Sequence, residues 1–550
     1  VAERAPSAVL EPTRGFFDDD DDEDLDELES SSRRPGRWRN LAWAVAGAAA
    51  LAVGYIPGAR VPIIADDFQA LQETYAIADG SLWNALTFGF SAGSGASHSN
   101  VFGQAIGALY HYLAYWLSAT FGFSPHYYDV VVTLGMIALG VAGAASVVVW
   151  GLGRLPAGPP AFWPTFALLA AVTAATLQLH VPWSDDPVVS YGPAGFGSTA
   201  LGFWTIAWAL RAIAPGARGA WSILVCSALA VVCVWYYEML VAAIAAVAVA
   251  LVLTALTAVD RAQVRRRCLV LMGTAVLLPA VLFVLGRVLL AVPAEEANYG
   301  GTTMALGPAG VSAWGRGMVG ALPGGGWRYL TEAAGSPTLS WEAVQVAAAL
   351  LVLVGGIGFA WVRSTGAGAA LADVERPGVA ERLPLWQHPA LVLVATIVTY
   401  WALATATHAM TVKYSEKMAR SGQVYLSYAV GLIGVAALIV LALLALRHRR
   451  RARLGAVLLP LAGAFVLGQV ALNMVLAEIT QSHYPINALL VAQSADGDLP
   501  EEVRCGTLFD WSTKQGWPEY YQTAVSDGVQ ENYERMFGEP FCARMDERED

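Results

Sequence analysis

The sequence predicts an all-α protein that crosses a membrane many times. Three observations carry that expectation. Of the 550 residues, 56% are hydrophobic and only 14% are charged, where a soluble domain carries about 25% charged residues. Mean hydropathy is +0.49. Continuous Ala-, Leu- and Val-rich runs recur along most of the chain, each within the range of about 17–25 residues that a bilayer demands. A transmembrane barrel would alternate with period two instead.

Charge then orders the chain. The net charge of −11 comes largely from the two ends, including the unbroken acidic run from Asp18 to Glu23 and the stretch from Met545 to Asp550. Residues 1–36 read as a disordered acidic cytoplasmic tail, and no cleavable signal peptide is expected ahead of the first apolar run. A nucleic-acid footprint needs clustered Lys and Arg, and neither end has one. Arg33, Arg34, Arg37 and Arg39 precede the first span and hold the N-terminus in the cytoplasm by the positive-inside rule.

The first span, about 41–57, delivers the stretch Pro62-Ile63-Ile64-Ala65-Asp66-Asp67-Phe68-Gln69 to the outer side. Two adjacent carboxylates each cost about 2.5–3.5 kcal/mol at mid-bilayer, so they belong in water or in a polar cleft. Phe68 to Ala78 has helical periodicity, and Ser91 to Asn100 is rich in Gly, Ser and His, with His98 a candidate site residue. Residues 103–121 interleave Tyr110, His111, Tyr112, Tyr115 and Trp116 and read as an outer interfacial helix. With that helix interfacial, later spans alternate so that Arg154, Arg211, Arg218, the 261–267 cluster, Arg363 and the 447–453 cluster all fall inside. The expectation is about eleven spans, N-terminus in and C-terminus out, in a transmembrane module covering 37–476.

The last stretch, 477–550, is expected to form a small extracytoplasmic domain. Exported, it would join Cys505 to Cys542 in a disulfide. Cys226, Cys233 and Cys268 lie in apolar runs as buried small hydrophobes.

This topology sends the unusual polar residues to one face: Asp66 and Asp67, Asp185 and Asp186, Glu238, then Lys413, Tyr414, Lys417, Arg420 and Tyr425. Early acids and late cations suit a transfer reaction with an anionic leaving group, the acid as general base and the cations on a departing phosphate. The outer loop of about 293–342, carrying Arg316 and Arg328, is placed to close over a bound donor. Plain structural roles are also open: Asp66 or Asp67 as a helix N-cap, Asp185-Asp186-Pro187 as a turn, the cations as headgroup contacts. Nothing has zinc-ligand spacing, a phosphate-binding Walker loop or a nucleophile elbow, and whether a divalent cation assists is left open.

Taken in this order, the motifs resemble the membrane-embedded GT-C glycosyltransferases. The Pro-Ile-Ile-Ala-Asp-Asp-Phe stretch looks like their acidic first-loop signature. Phe121-Gly122-Phe123-Ser124-Pro125 after the interfacial helix, Ser184-Asp185-Asp186-Pro187, Glu238, and Thr411-Val412-Lys413-Tyr414 with Gly422-Gln423-Val424-Tyr425 agree with it. The resemblance covers roughly 37–450. It implies a GT-C-like helical bundle with outer-face juxtamembrane helices, a polyprenyl-phosphate-sugar donor, inverting chemistry and an external active site. The acceptor would be a cell-envelope glycan, glycolipid or protein. An Ala-, Gly-, Val- and Arg-rich composition suggests a GC-rich, actinobacterial genome. The rival expectations are a transporter or flippase of a lipid-linked or small polar substrate, which needs ionisable groups near mid-membrane, and a scaffold presenting the C-terminal segment.

Overall fold

The computed structural model describes most of residues 36–543. Outside the described residues lie 1–35, 65–67, 69, 72–73, 75–76, 79, 96–99, 154–159, 181–185, 215–218, 258–261, 290–303, 336–337, 365–387, 419–422, 425, 446–447, 495, 515–518 and 544–550. The acidic tail falls there, as do Asp66, Asp67, His98, Asp185, Arg420 and Tyr425; the backbone of Lys417 is described but not its side chain. The chain divides into two units, Val1–Ala42 and Trp43–Asp550. Of the first, residues 36–42 are described and open helix α1.

Among the described residues every regular element is helical, with one isolated bridge between Met304 and Thr411. In order they are α1 (Arg37–Gly54), α2 (Leu82–Gly95), α3 (Val101–Phe121), α4 (Pro125–Leu152), α5 (Phe162–Thr176), α6 (Ser198–Ile213), α7 (Gly219–Tyr236), α8 (Val241–Thr257), α9 (Ala262–Leu271), α10 (Leu278–Leu289), α11 (Pro308–Gly320), α12 (Trp327–Ala334), α13 (Trp341–Ser364), α14 (Pro389–Ala409), α15 (Val412–Lys417), α16 (Tyr428–Ala445), α17 (His448–His483), α18 (Pro485–Gln493), α19 (Glu501–Lys514) and α20 (Glu519–Phe537). Wide turns of π type lead into α6 (Pro193–Gly197) and join α9 to α10 (Met272–Leu277).

Among the described residues, eight helices are long and apolar enough to cross a membrane: α4, α7, α8 with its leading turn, α9 continued into α10, α13, α14, α16 and the Pro460–Ser482 part of α17. The chain is thus a polytopic helical membrane protein. Helices also lie where the remaining three spans are expected, but α5 and α6 are short, 15 and 16 residues, and α1 opens on Arg37 and Arg39.

Local chemistry sets many helix boundaries. Proline occupies the first turn of α4, α11, α14 and α18, where its missing N–H costs nothing. α3 stops at Gly122, whose φ of 65° lets its N–H fold back to Ser118 O at 2.8 Å. Neighbours pack on small residues: a Cβ on Gly54 would lie 2.8 Å from Ala174 Cβ, so α1 and α5 touch backbone to backbone there.

Side-chain contacts bring particular helix ends together at the two ends of the bundle. At one end of the bundle the ends of α4, α6 and α9 meet: Arg211 lies over the Trp150 and Trp208 rings, and Arg267 donates to Ala212 O and Ala214 O at 3.2 Å. At the other, Arg60 pairs with Glu342, His126 Nε2 lies 2.9 Å from Ala59 O, and Asn473 bonds the backbone of Leu177 and Leu179.

One boundary differs from the sequence reading. α17 is one helix through residue 483, so position 476 is not a break. The segment after it shares a core with the first outer loop: Leu508, Trp511 and Tyr533 cluster with Phe68, Leu71 and Tyr115. A short chain gains little by burying apolar surface on its own, and the loop supplies the missing face. Cys505 and Cys542 are disulfide-bonded in this unit.

Candidate functional site

At the end of the bundle opposite Arg211 a cavity of about 240 Å³ opens between α3, the start of α6 and the end of α7. Its wall is Ala70, Asn100, Gly103, Gln104, Gly107, His111, Tyr191, Pro193, Ala194, Tyr236 and Tyr237. The backbone is bent to make it. Tyr191 holds φ at +58°, a left-handed conformation that costs a non-glycine residue about 1–3 kcal/mol, and the wide turn Pro193–Gly197 follows directly. Tyr236 donates to Pro193 O at 2.7 Å and ties that turn to α7. Gly103 lets α3 approach: a Cβ there would lie 2.1 Å from Tyr236 O. Asn100, 6% exposed, has its Oδ1 buried without a hydrogen-bond partner among the described residues.

His111 also borders a second, water-sized niche with Ile63, Leu71, Tyr110, Ala114, Pro125, Tyr128 and Asp129. Asp129 accepts hydrogen bonds from Tyr110 Oη and, at 3.4 Å, from Thr133 Oγ1. The stretch carrying Asp66 and Asp67 therefore borders both spaces through its neighbours, Ile63 and Leu71 at the niche and Ala70 at the cavity. Asp129 is absent from the sequence-derived set. Its signal was a lone acid near the start of an otherwise apolar span, a placement that is costly unless used.

The late segment reaches the cavity through aromatic rings. Tyr237 Oη and His408 Nε2 are 3.1 Å apart, with the rings stacked at 5.7 Å. His408 meets Tyr414 edge to face at 5.7 Å, and Lys413 Nζ lies 5.4 Å from the Tyr414 ring centre. Thr411 caps α15 by accepting from Tyr414 N at 3.4 Å. Glu238, half-buried, begins the turn after Tyr237.

α11 lies across this segment: Ala305 N donates to Met410 O at 2.6 Å, Trp314 Nε1 to Ala402 O at 2.9 Å, and Arg316 to Met418 O and Ser312 Oγ. Arg316 thus sits beside the 411–418 segment with its guanidinium already engaged. Arg328 is elsewhere, exposed on α12 and paired with Glu332.

Asp186 is buried behind the cavity wall. Its Oδ2 accepts from His180 N at 2.6 Å and its Oδ1 from Val188 N at 2.7 Å. Burial pushes its carboxyl up to about 6, against the lowering effect of the amides. Sequence reasoning puts Asp186 in a substrate pocket; here it winds the loop after α5. Beside it, Gln178 bonds Gly320 O at 3.2 Å and His180 Nε2 at 2.9 Å, while Tyr428 Oη receives Gln178 N at 3.0 Å. Sequence reasoning passed over Gln178, His180, His408 and Asn473, because a single polar residue ending an apolar run looks like any span terminus.

Among the described residues no three His, Cys, Asp or Glu side chains gather as metal ligands. Among the described residues, what is assembled is a tyrosine-lined cavity with a carboxylate niche on one side and a lysine, relayed through aromatic rings, on another. No family model, curated protein or solved structure matches this chain.

Proposed function

We propose that the chain is a GT-C-type glycosyltransferase with about eleven spans that takes a sugar from a polyprenyl-phosphate carrier. The observation that supports this most is the cavity itself. Ala70, two residues beyond the early acid loop's Phe68, and Tyr237, joined through His408 to the Tyr414–Lys413 pair, belong to one wall. The arginine-bearing end is cytoplasmic by the positive-inside rule, which puts the cavity, the acid loop and the C-terminus outside.

In the proposed reaction the acceptor hydroxyl oxygen attacks the anomeric carbon from the face opposite the phosphate. The carbon–oxygen bond to phosphate breaks, and polyprenyl phosphate leaves with the electron pair. Asp66 takes the hydroxyl proton and Asp67 orients a sugar. Lys413, with Lys417 and Arg420, offsets the charge on the leaving phosphate. Tyr414 and Tyr425 pack behind the cations, Asp185 and Glu238 border the sugar, and Asp129 serves the same niche as the acid loop. Asp186 is assigned to holding the wall.

A transporter is less well supported: among the described residues the middle of each span carries no Asp, Glu, Lys or Arg. The test uses purified protein in lipid nanodiscs with a radiolabelled polyprenyl-phosphate sugar. Transfer of label by the native chain and its loss in Asp66→Asn is the expected outcome. Undiminished turnover in that variant removes the base assignment.

A further inference from the structure

Two contacts bracket the acid pair, and both come from the far end of the chain. Upstream, Asn487 Nδ2 donates to Ile63 O at 3.4 Å across 424 positions. Downstream, the Phe68 ring centre lies 5.9 Å from that of Trp511. Trp511 Nε1 donates to Asn487 Oδ1 at 2.9 Å, so the two grips act as one. Ile64, Phe68 and Trp511 are 1%, 0% and 0% exposed. From Ile64 to Phe68 is four residue steps, at most about 14 Å of chain, so both anchors lie within a few residues of the acid pair.

The gripping unit is braced from behind. The Cys505–Cys542 bond ties α19 to the tail, and Gln530 bonds both the N–H and the C=O of Cys542, at 2.9 and 2.8 Å. Arg504, 3% exposed, pairs with Glu539 at 2.9 Å and lies over the Tyr533 ring. Burying an arginine is costly unless it is partnered; the Nη1–Glu539 bond and the Tyr533 ring contact tie α19 to α20, while the arginine Nε has no hydrogen-bond partner among the described residues. Trp511 projects from that locked pair.

We propose that the C-terminal segment is the positioning element of the first outer loop, with Asn487 holding Ile63 and Trp511 holding Phe68, the described residues on either side of the acid pair. What the loop does rests on the glycosyl-transfer reading; how it is held does not. An ordered loop spares the reaction the entropy of arranging its base.

The test is hydrogen–deuterium exchange on the full chain in nanodiscs, with donor kinetics on the same samples. Asn487→Ala and Trp511→Ala are expected to speed exchange of the 61–74 amides about tenfold or more while α16 is unchanged, the pattern of a local opening. Trp511→Phe keeps the ring and loses the N–H, and is expected to fall between these and the native chain. Turnover should drop about tenfold with the donor KM within about twofold, because alignment rather than binding is lost. Unchanged exchange over 61–74 in Asn487→Ala, with exchange across 485–543 raised, overturns the proposal. Where Trp511→Ala does not accumulate, Asn487→Ala and Trp511→Phe, which remove less buried apolar bulk along with the hydrogen bonds, decide it. Full turnover by Asp66→Asn alongside the expected exchange pattern would sink the catalytic reading and leave the clamp standing.

Discussion

The two ends of the helical bundle solve different problems. At one end Arg211 rests on Trp150 and Trp208, and Arg267 closes the open carbonyls at the end of α6. Such cations cover helix termini and reach for water or headgroups. At the other end Asp186, His180, Gln178, His408 and Asn473 are buried, and around them sit a cavity and a niche. Burying polar groups is unfavourable unless each finds a partner. An end that accepts that cost many times over, and adds a left-handed tyrosine, is the end where chemistry is to be sought. The comparison teaches that in this chain burial of polarity, rather than its abundance, separates site from anchor.

Substitutions at each end test that contrast. The largest effect is expected from Asp66→Asn, a fall of about 10²–10⁴ in turnover, the usual contribution of a general base, measured with a labelled lipid-phosphate sugar. Next is Cys505→Ser: freeing the bond of sequence separation 37 should cost the C-terminal unit about 4 kcal/mol, read as a loss of protease resistance over 485–543 with the spans intact.

Asp186 predicts a pH dependence. Its folded-state affinity for protons exceeds that of the unfolded chain, so the folded form binds more protons between the two values. Stability therefore falls as pH rises through the window from about 4 to about 6, by up to about 3 kcal/mol. Asp186→Asn should flatten that slope in a melting series, and an unaltered slope would remove Asp186 as its source.

Gly103→Ala, whose Cβ meets Tyr236 O, should cost about 1–3 kcal/mol and widen the gap between α3 and α7, seen as faster labelling of a cysteine placed at Gln104. Smallest is Arg211→Ala at the far end, about 0.5–1 kcal/mol from two lost ring contacts, with transfer unchanged. A transfer defect there as large as that of Asp66→Asn would erase the distinction between the ends.

Much of the architecture could be read before any coordinates. The helices over the apolar runs and the helix over 101–121 follow from composition and hydrophobic periodicity, whereas the helices opened by Pro308 and Pro485 stand where the sequence suggests an outer loop and a turn-rich segment. The site was legible only in part. The aromatic wall at Tyr236 and Tyr237 lay next to a residue already singled out, Glu238, yet His408 and Asp129 looked like ordinary span ends. Asp186 looked like a site residue because sequence shows a carboxylate and not the amides that occupy it.

By itself, then, the sequence determined that this chain lies in a membrane as helices, roughly where the apolar ones lie, and which ends carry the arginines, because hydrophobic length and charge are local properties. Tertiary structure alone decided that Asn473 meets Leu177, that His408 meets Tyr237, and that the last segment grips the first loop. The physical reason is that spans apolar on every side carry no stripe naming a partner. Their neighbours are chosen by shape, small residues and a few buried hydrogen bonds between positions hundreds of residues apart.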